Sequence, residues 1–478
     1  MHRITLILLG VLTASSALQI RFSCALAQEM SYTLLTAFTN PTPASGDYFG
    51  YAVAAMGTDR VLIGAYRDDT GATDAGAAYL FTTNGVLLNT FTNPAPETND
   101  YFGISVAAIG TDRVLIGAHW DDLGAVNAGA AYLFSTDGTL LTTFTNPTPA
   151  ALDYFGSFVA AFGTERVLIG AYGDNAGASD AGVMYSFSTD GTLLHTFTNP
   201  TPAASDEFGH SAAVVGTDRV LIGSTYDDAR LVDSGTAYLF GASGALLVTF
   251  TNPAPTALDY FGQRVAAVGT DRVLIGAWGD DKGASAAGVV YLFNTNGALL
   301  TTFTNPAPAA DDYFGSSFAV VSSDRILIGA YADDTAATDA GAAYLFTTNG
   351  TLLSTLTNAA PTLGEWFGRS IAVLESGQVL IGAHRNDTGA TDSGMAYLFS
   401  LTERASEAPM LNIRPTTSSA VAVSWPSPSS GWILQENTNS VASGNWSNAP
   451  GPFQDDGTNK TLIAEPASGN HFYRLFRP

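Results

Sequence analysis

The stretch Asp47–Tyr66 reads DYFGYAVAAMGTDRVLIGAY. Two apolar runs, Tyr51–Met56 and Arg60–Tyr66, flank Gly57-Thr58-Asp59. That gap is only long enough for a tight turn, so the spacing predicts an antiparallel strand pair. The polar loop Arg67–Gly76 follows, and then a third strand over Ala77–Thr82. Asn84-Gly85 is a hairpin signal, because glycine supplies the positive φ that a primed two-residue turn needs. Val86–Phe91 is the fourth strand, and Thr92-Asn93-Pro94-Ala95-Pro96 ends the sheet because proline lacks the ladder donor.

The same unit recurs. Phe-Gly stands at Phe49, Phe102, Phe155, Phe208, Phe261, Phe314 and Phe367, each step 53 residues. The glycine closing the second strand keeps that step, at Gly64, Gly117, Gly170, Gly223, Gly276, Gly329 and Gly382. Four antiparallel strands per unit is the arithmetic of a propeller blade. The seventh copy ends at Tyr397-Leu398-Phe399, and Leu401–Arg404 does not match a fourth strand. A spare fourth strand, Thr33–Phe38, lies at the other end. The expected fold is therefore all-β: a seven-bladed β-propeller over residues 32–400, closed by the N-terminal strand. Closure removes two exposed sheet edges. An open solenoid would not need the missing and spare strands to correspond.

The DYFG and VLIGAY motifs resemble the FG-GAP repeat of the integrin alpha-subunit propeller and its bacterial relatives. The continuation GAYxDDxGAxxAGAAYLF resembles a bacterial subclass of that repeat. The resemblance covers seven copies and implies a propeller used for extracellular binding or adhesion. It fixes no ligand, because fold does not give function. Calcium-binding members carry an acidic D-x-D-x-D-G loop where this chain has the minimal turns Gly57-Thr58-Asp59 and Gly110-Thr111-Asp112. Those turns hold too few oxygens for the six to eight ligands of Ca²⁺. The integrin-type calcium sites are therefore not carried over.

The ends differ from the repeat. His2-Arg3, the apolar Ile4–Leu12 and Ala25-Leu26-Ala27 read as a signal peptide over residues 1–27. The only cysteine, Cys24, falls in it, so no disulfide or thiol site is expected in the processed chain. Losing Arg3 and Arg21 takes the net charge from −24 to about −26. Nucleic acid and anionic membrane are poor partners for such a surface. No later apolar stretch is long enough to span a membrane. Residues 401–409 read as a linker. Residues 410–478 read as a small β-sandwich-like module, with strands near Val421–Trp425, Trp432–Gln435, Thr461–Ile463 and His471–Leu475. Trp446 is expected in its core.

Strand alternation places the loop between strands two and three on the same face as the connection to the next blade. Four repeat positions there are acidic, holding more than half of the 43 acidic residues. The first runs from Asp47 through Asp100 and its copies to Glu365. The other three include Asp68, Asp69 and Asp74, Asp121 and Asp122, Asp227, Asp228 and Asp233, and Asp333, Asp334 and Asp339. Asp in such loops caps turns and keeps an apolar repeat soluble. The alternative is a weak Ca²⁺ or cationic-ligand site; no cofactor is required. The Thr-Asp-Arg turns leave the opposite face nearer neutral. Rings follow the second strand at Tyr66, His119, Tyr172, Trp278, Tyr331 and His384, and the next position varies: Arg67, Trp120, Gly173, Tyr226, Gly279, Ala332, Arg385. Repeated aromatics read first as inter-blade packing. Trp120, Arg67, Tyr226, Trp278 and Arg385 are the candidate ligand contacts, since rings beside carboxylates suit sugars or cations.

Catalytic motifs are absent: there is no G-x-S-x-G and no H-E-x-x-H. A glycoside hydrolase needs only two carboxylates, but the acids here repeat in every blade, whereas an active site needs singular residues. The reading is a secreted or cell-surface binding module, periplasm included, for an extracellular protein or glycan. The alternatives are a self-associating structural protein and a propeller glycosidase.

Overall fold

A computed structural model describes residues 30–403, 411–416, 420–427, 432–437, 446–464 and 472–476. The expected signal peptide, and residues 404–409 of the expected linker, lie outside the described residues. The chain divides into two compact units, one of them Ser31–Thr402 and the other containing Glu403–Pro478.

Strand β1 spans Met30–Thr39, and the first blade comprises β2 (Ala52–Met56), β3 (Arg60–Ala65), β4 (Ala77–Thr82) and β5 (Leu87–Thr92). The four pair in chain order and antiparallel. Five more blades repeat this order. In the seventh, Phe367–Val373, Val379–Ala383 and Met395–Glu403 are completed by β1 as outer strand. The ring is thus closed as the sequence implies. The strand Met395–Glu403 runs into the stretch expected as linker.

Burial follows blade geometry. Strands β3 and β4 are buried at almost every residue, because each of their faces packs on a neighbouring blade. One hydrophobic cluster joins Phe49, Val61 and Ile63 of the first blade to Leu380 and Leu398 of the last and to Phe38 of β1. The outer strand is exposed or half-buried except at Phe91, which meets Phe134 of the second blade at 5.4 Å between ring centroids. Two glycines set the blade spacing. A methyl on Gly64 would come closer than 3.0 Å to the Gly103 carbonyl oxygen, and one on Gly117 would do the same to that of Gly156. The Phe-Gly and Gly-Ala motifs are therefore two sides of one backbone contact.

The hairpin differs from expectation. Of Asn84 and Gly85, only Gly85 has positive φ, +89°, whereas a type I′ turn needs both central residues there. Gly85 N donates to Thr82 O and Thr82 N to Val86 O, so the hairpin closes through a glycine bulge, and a separate register shift leaves Leu88 unpaired opposite Leu80 and Phe81.

The C-terminal unit pairs Asn412–Pro415, Val421–Pro426, Asn459–Ala464 and Gln454–Asp455 in one sheet, and Ser447–Asn448, Ile433–Asn437 and Phe472–Phe476 in another. Val423, Trp425, Leu434, Leu462, Tyr473 and Leu475 lie in its core. Trp446 is not among them. It is half-buried, with the Arg474 guanidinium 4.3 Å from its ring centroid. Among the described residues no helix is long and apolar enough to cross a membrane, which says nothing of β-barrel spans.

Candidate functional site

At every blade junction the residue before Phe-Gly is left-handed; Tyr48 has φ +55° and Glu207 +50°. That conformation is unusual for bulky side chains. It is held by the preceding blade's loop: Tyr48 N donates to Asp392 O at 3.1 Å and Phe49 N to Ser393 O at 3.0 Å. Tyr48 thereby stacks on Tyr66 (5.5 Å, 13°) and meets His384 edge-on (5.5 Å, 61°).

These contacts propagate around the axis. Tyr66 meets Tyr101, Tyr101 meets His119, His119 meets Tyr154, and Tyr154 stacks on Tyr172 at 5.0 Å. From the other side, Tyr226 meets Tyr260, which stacks on Trp278 at 4.6 Å. Trp278, Tyr313, Tyr331, Trp366 and His384 complete the circuit. The collar is broken once, between Tyr172 and Tyr226. There Glu207 stands where the other blades carry Tyr or Trp.

Within the collar is a central cavity of about 460 Å³. Its wall includes Tyr51, Glu207, His210, Gln263, Arg264 and Arg369, with Val53, Val106, Val159, Val265 and Ile371 one pairing step further along the inner strands. Each arginine reaches to the next blade: Arg264 Nε donates to Ser316 O (3.3 Å) and Arg369 Nη2 to Tyr51 Oη (3.0 Å). Neither forms an ion pair among the described residues. Burial, and then the Arg369 charge, pull the Arg264 guanidinium down to about 10. Burial, then Arg264 and Arg369, pull His210 down to about 4. Burial, then Asp180 and Asp233, push Glu207 up to about 7. His210 Nδ1, His119 Nδ1 and Gln263 Oε1 are enclosed without a hydrogen-bond partner. The wall serines are already committed: Ser105, Ser317 and Ser370 donate to the carbonyls of Gly156, Gly368 and Gly50.

The acidic positions named from sequence have structural partners. Asp68 accepts from Asn40 Nδ2 (3.1 Å), Tyr79 Oη (2.6 Å) and Thr70 N (3.0 Å). Asp121, Asp227 and Asp333 accept likewise from Tyr132, Tyr238 and Tyr344. Asp47, Asp100 and their copies are buried too, so much of the expected acidic face lies inside the blade junctions. Asp69, Asp122, Asp228 and Asp334 are exposed and accept the backbone N–H of Asp74, Asn127, Asp233 and Asp339 respectively. Asp74, Asp233 and Asp339 are left-handed turn residues. Among the described residues no group of three or more His, Cys, Asp or Glu is placed to hold a metal ion.

Of the candidate ligand contacts, only Tyr226 lines the cavity. Trp278 belongs to the collar. Trp120 packs on Tyr101 at 4.6 Å. Arg67 sits 5.4 Å from the Tyr101 ring and Arg385 3.8 Å from that of Trp366. On the opposite face Arg60 and Arg113 donate to the Thr111 and Thr164 carbonyls of the next blade.

Sequence reading missed Arg264, Arg369, Gln263, His210 and Glu207. The signal was available in the two residues after each Phe-Gly: Tyr51-Ala52, Ile104-Ser105, Ser157-Phe158, His210-Ser211, Gln263-Arg264, Ser316-Ser317 and Arg369-Ser370. In a chain of near-identical blades, no two of these pairs agree.

The FG-GAP repeat family matches seven times, at residues 36–81, 90–134, 142–187, 195–240, 250–293, 301–346 and 354–399. Similar solved structures include the C-terminal WD40 domain of Sif2, with 11% identity over 73% of this chain and 80% of that one, and a TM-score of 0.44. A protein of unknown function from Bacteroides caccae has 12% identity over 54% of this chain and 82% of that one, with a TM-score of 0.32. No curated protein matches.

Proposed function

The chain belongs to the FG-GAP repeat family, and from that premise we propose that it is a non-enzymatic binding module acting outside the cell or at its surface. The observation that carries this reading is the central cavity. Its polar wall is built from inner-strand residues that differ between blades, whereas the second and third strands repeat almost unchanged. A preformed concave site with a few convergent polar groups is the usual form of a ligand pocket. The cavity wall contains one carboxylate, Glu207, where glycoside cleavage uses two, which favours binding over hydrolysis. Saturable retention on an array of extracellular glycans and proteins, with no substrate turnover, is the expected result. Turnover of a bound glycan would replace this reading with the hydrolase.

A second reading has its own support. The outer strands expose leucine pairs at Leu34-Leu35, Leu87-Leu88, Leu140-Leu141, Leu193-Leu194, Leu246-Leu247 and Leu299-Leu300. An apolar belt on edge strands suits lateral self-association. Sedimentation velocity over a wide concentration range separates the two: the belt reading requires growing assemblies.

A further inference from the structure

We propose that the central cavity binds an oxyanion carried on a small hydroxylated body, an acidic sugar or sugar phosphate in chemical class, through Arg264 and Arg369. The proposal rests on the reading of this cavity as a binding site.

The two guanidiniums come from the fifth and seventh blades and stand in one cavity wall. Neither has a carboxylate partner among the described residues; their hydrogen bonds go to a carbonyl and a phenol oxygen. Two like charges facing one cavity are unfavourable unless something compensates them. In a chain of net charge −24, carboxylates were abundant, yet the fold supplies only Glu207 to this wall. An oxyanion from outside supplies the missing charge, and arginine binds carboxylate and phosphate through paired N–H donors.

The remaining free valences describe the rest of the ligand. Gln263, His210 and His119 line the same wall, and because Gln263 Oε1 and both Nδ1 atoms are enclosed without partners, turning toward a ligand costs them no existing bond. They suit hydroxyl groups, which both donate and accept. The serine hydroxyls have already spent their hydrogens, Ser105, Ser317 and Ser370 across blades and Ser157 within its own, and can only accept. The volume of about 460 Å³ falls within the range of small-molecule pockets.

The test is calorimetric titration of the full chain with glucuronate, glucose 6-phosphate, glucose and sodium sulfate at constant ionic strength. Saturable binding of at least one charged sugar is expected, about tenfold or more tighter than glucose. The two charged sugars decide between carboxylate and phosphate. Equal binding of glucose, or of sulfate alone, or no binding, overturns the proposal. Arg264→Ser and Arg369→Ser place the smaller residues found in other blades at the same or the adjoining position. Each should weaken the charged sugar about tenfold while Arg60→Ala does not. The neutral-sugar comparison needs no variant and stands if these fail to fold. If array ligands still bind but ignore both substitutions, the binding-module reading survives and this proposal fails.

Discussion

The carbonyl oxygen of Gly50 occupies the place where a side chain on Gly382 would stand. Ser370 Oγ donates to the same oxygen at 2.7 Å. This is how the seventh blade meets the first. Gly382→Ala should therefore destabilise the propeller by about 2–4 kcal/mol, as overpacking against rigid backbone does. Gly163→Ala, with open space around it but φ +72°, should lose only about 1 kcal/mol. Denaturant melts of both variants check the difference.

The strand Met30–Thr39 is the outer strand of the seventh blade. A chain starting after Asn40 leaves Met395–Glu403 as an open edge. It should melt lower than the full chain and associate with concentration. A monomer of unchanged melting temperature would contradict closure by this strand.

Asp121→Ala removes the acceptor of Tyr132 Oη and of one of the two Asn93 Nδ2 hydrogens, the other staying on Asp100, inside a blade junction. Stranding two buried donors should destabilise by about 2–4 kcal/mol. Asp122→Ala loses one exposed bond to a backbone N–H, worth about 1 kcal/mol or less. Because these carboxylates already have partners, millimolar Ca²⁺ should raise the melting temperature no more than Mg²⁺ at equal ionic strength. A Ca²⁺-specific rise of several degrees would restore the loops as metal sites.

Burial is the main cause that pushes Asp47, Asp100, Asp153, Asp206 and Asp312 up to about 6. Their folded state holds more protons than the unfolded one, so stability is gained as pH falls through about 6 towards 4. His119 and His210, lowered to about 3 and 4 by burial, oppose this, as does His384, also lowered. The carboxyls outnumber the imidazoles. The melting temperature should be higher near pH 5 than near pH 7.5, and Asp206→Asn should flatten the slope by one proton's worth.

The fold was legible because a propeller blade states its constraints locally. Phe49, Gly50 and Gly64 each report one inter-blade contact, and the spare strand at Thr33–Phe38 announces closure. The candidate site was less legible for a physical reason. The eye goes to repeated aromatics and acids, and those build the collar and the loops. Arg264 and Arg369 stand on inner strands from blades 105 residues apart in sequence. Only ring closure brings them to one cavity. Trp446 misled because an isolated tryptophan in a small β-module usually fills the core; here Trp425 does so.

The most direct test of the account is ligand retention by a chain whose cavity has been levelled. Gln263→Ser with Arg264→Ser gives the fifth blade the Ser-Ser pair of the sixth. Binding to the best array ligand should fall about tenfold or more, with folding unchanged, while Trp120→Ala retains it. Full binding by the levelled chain, with loss in Trp120→Ala, would place the site on the outer loops and contradict the account.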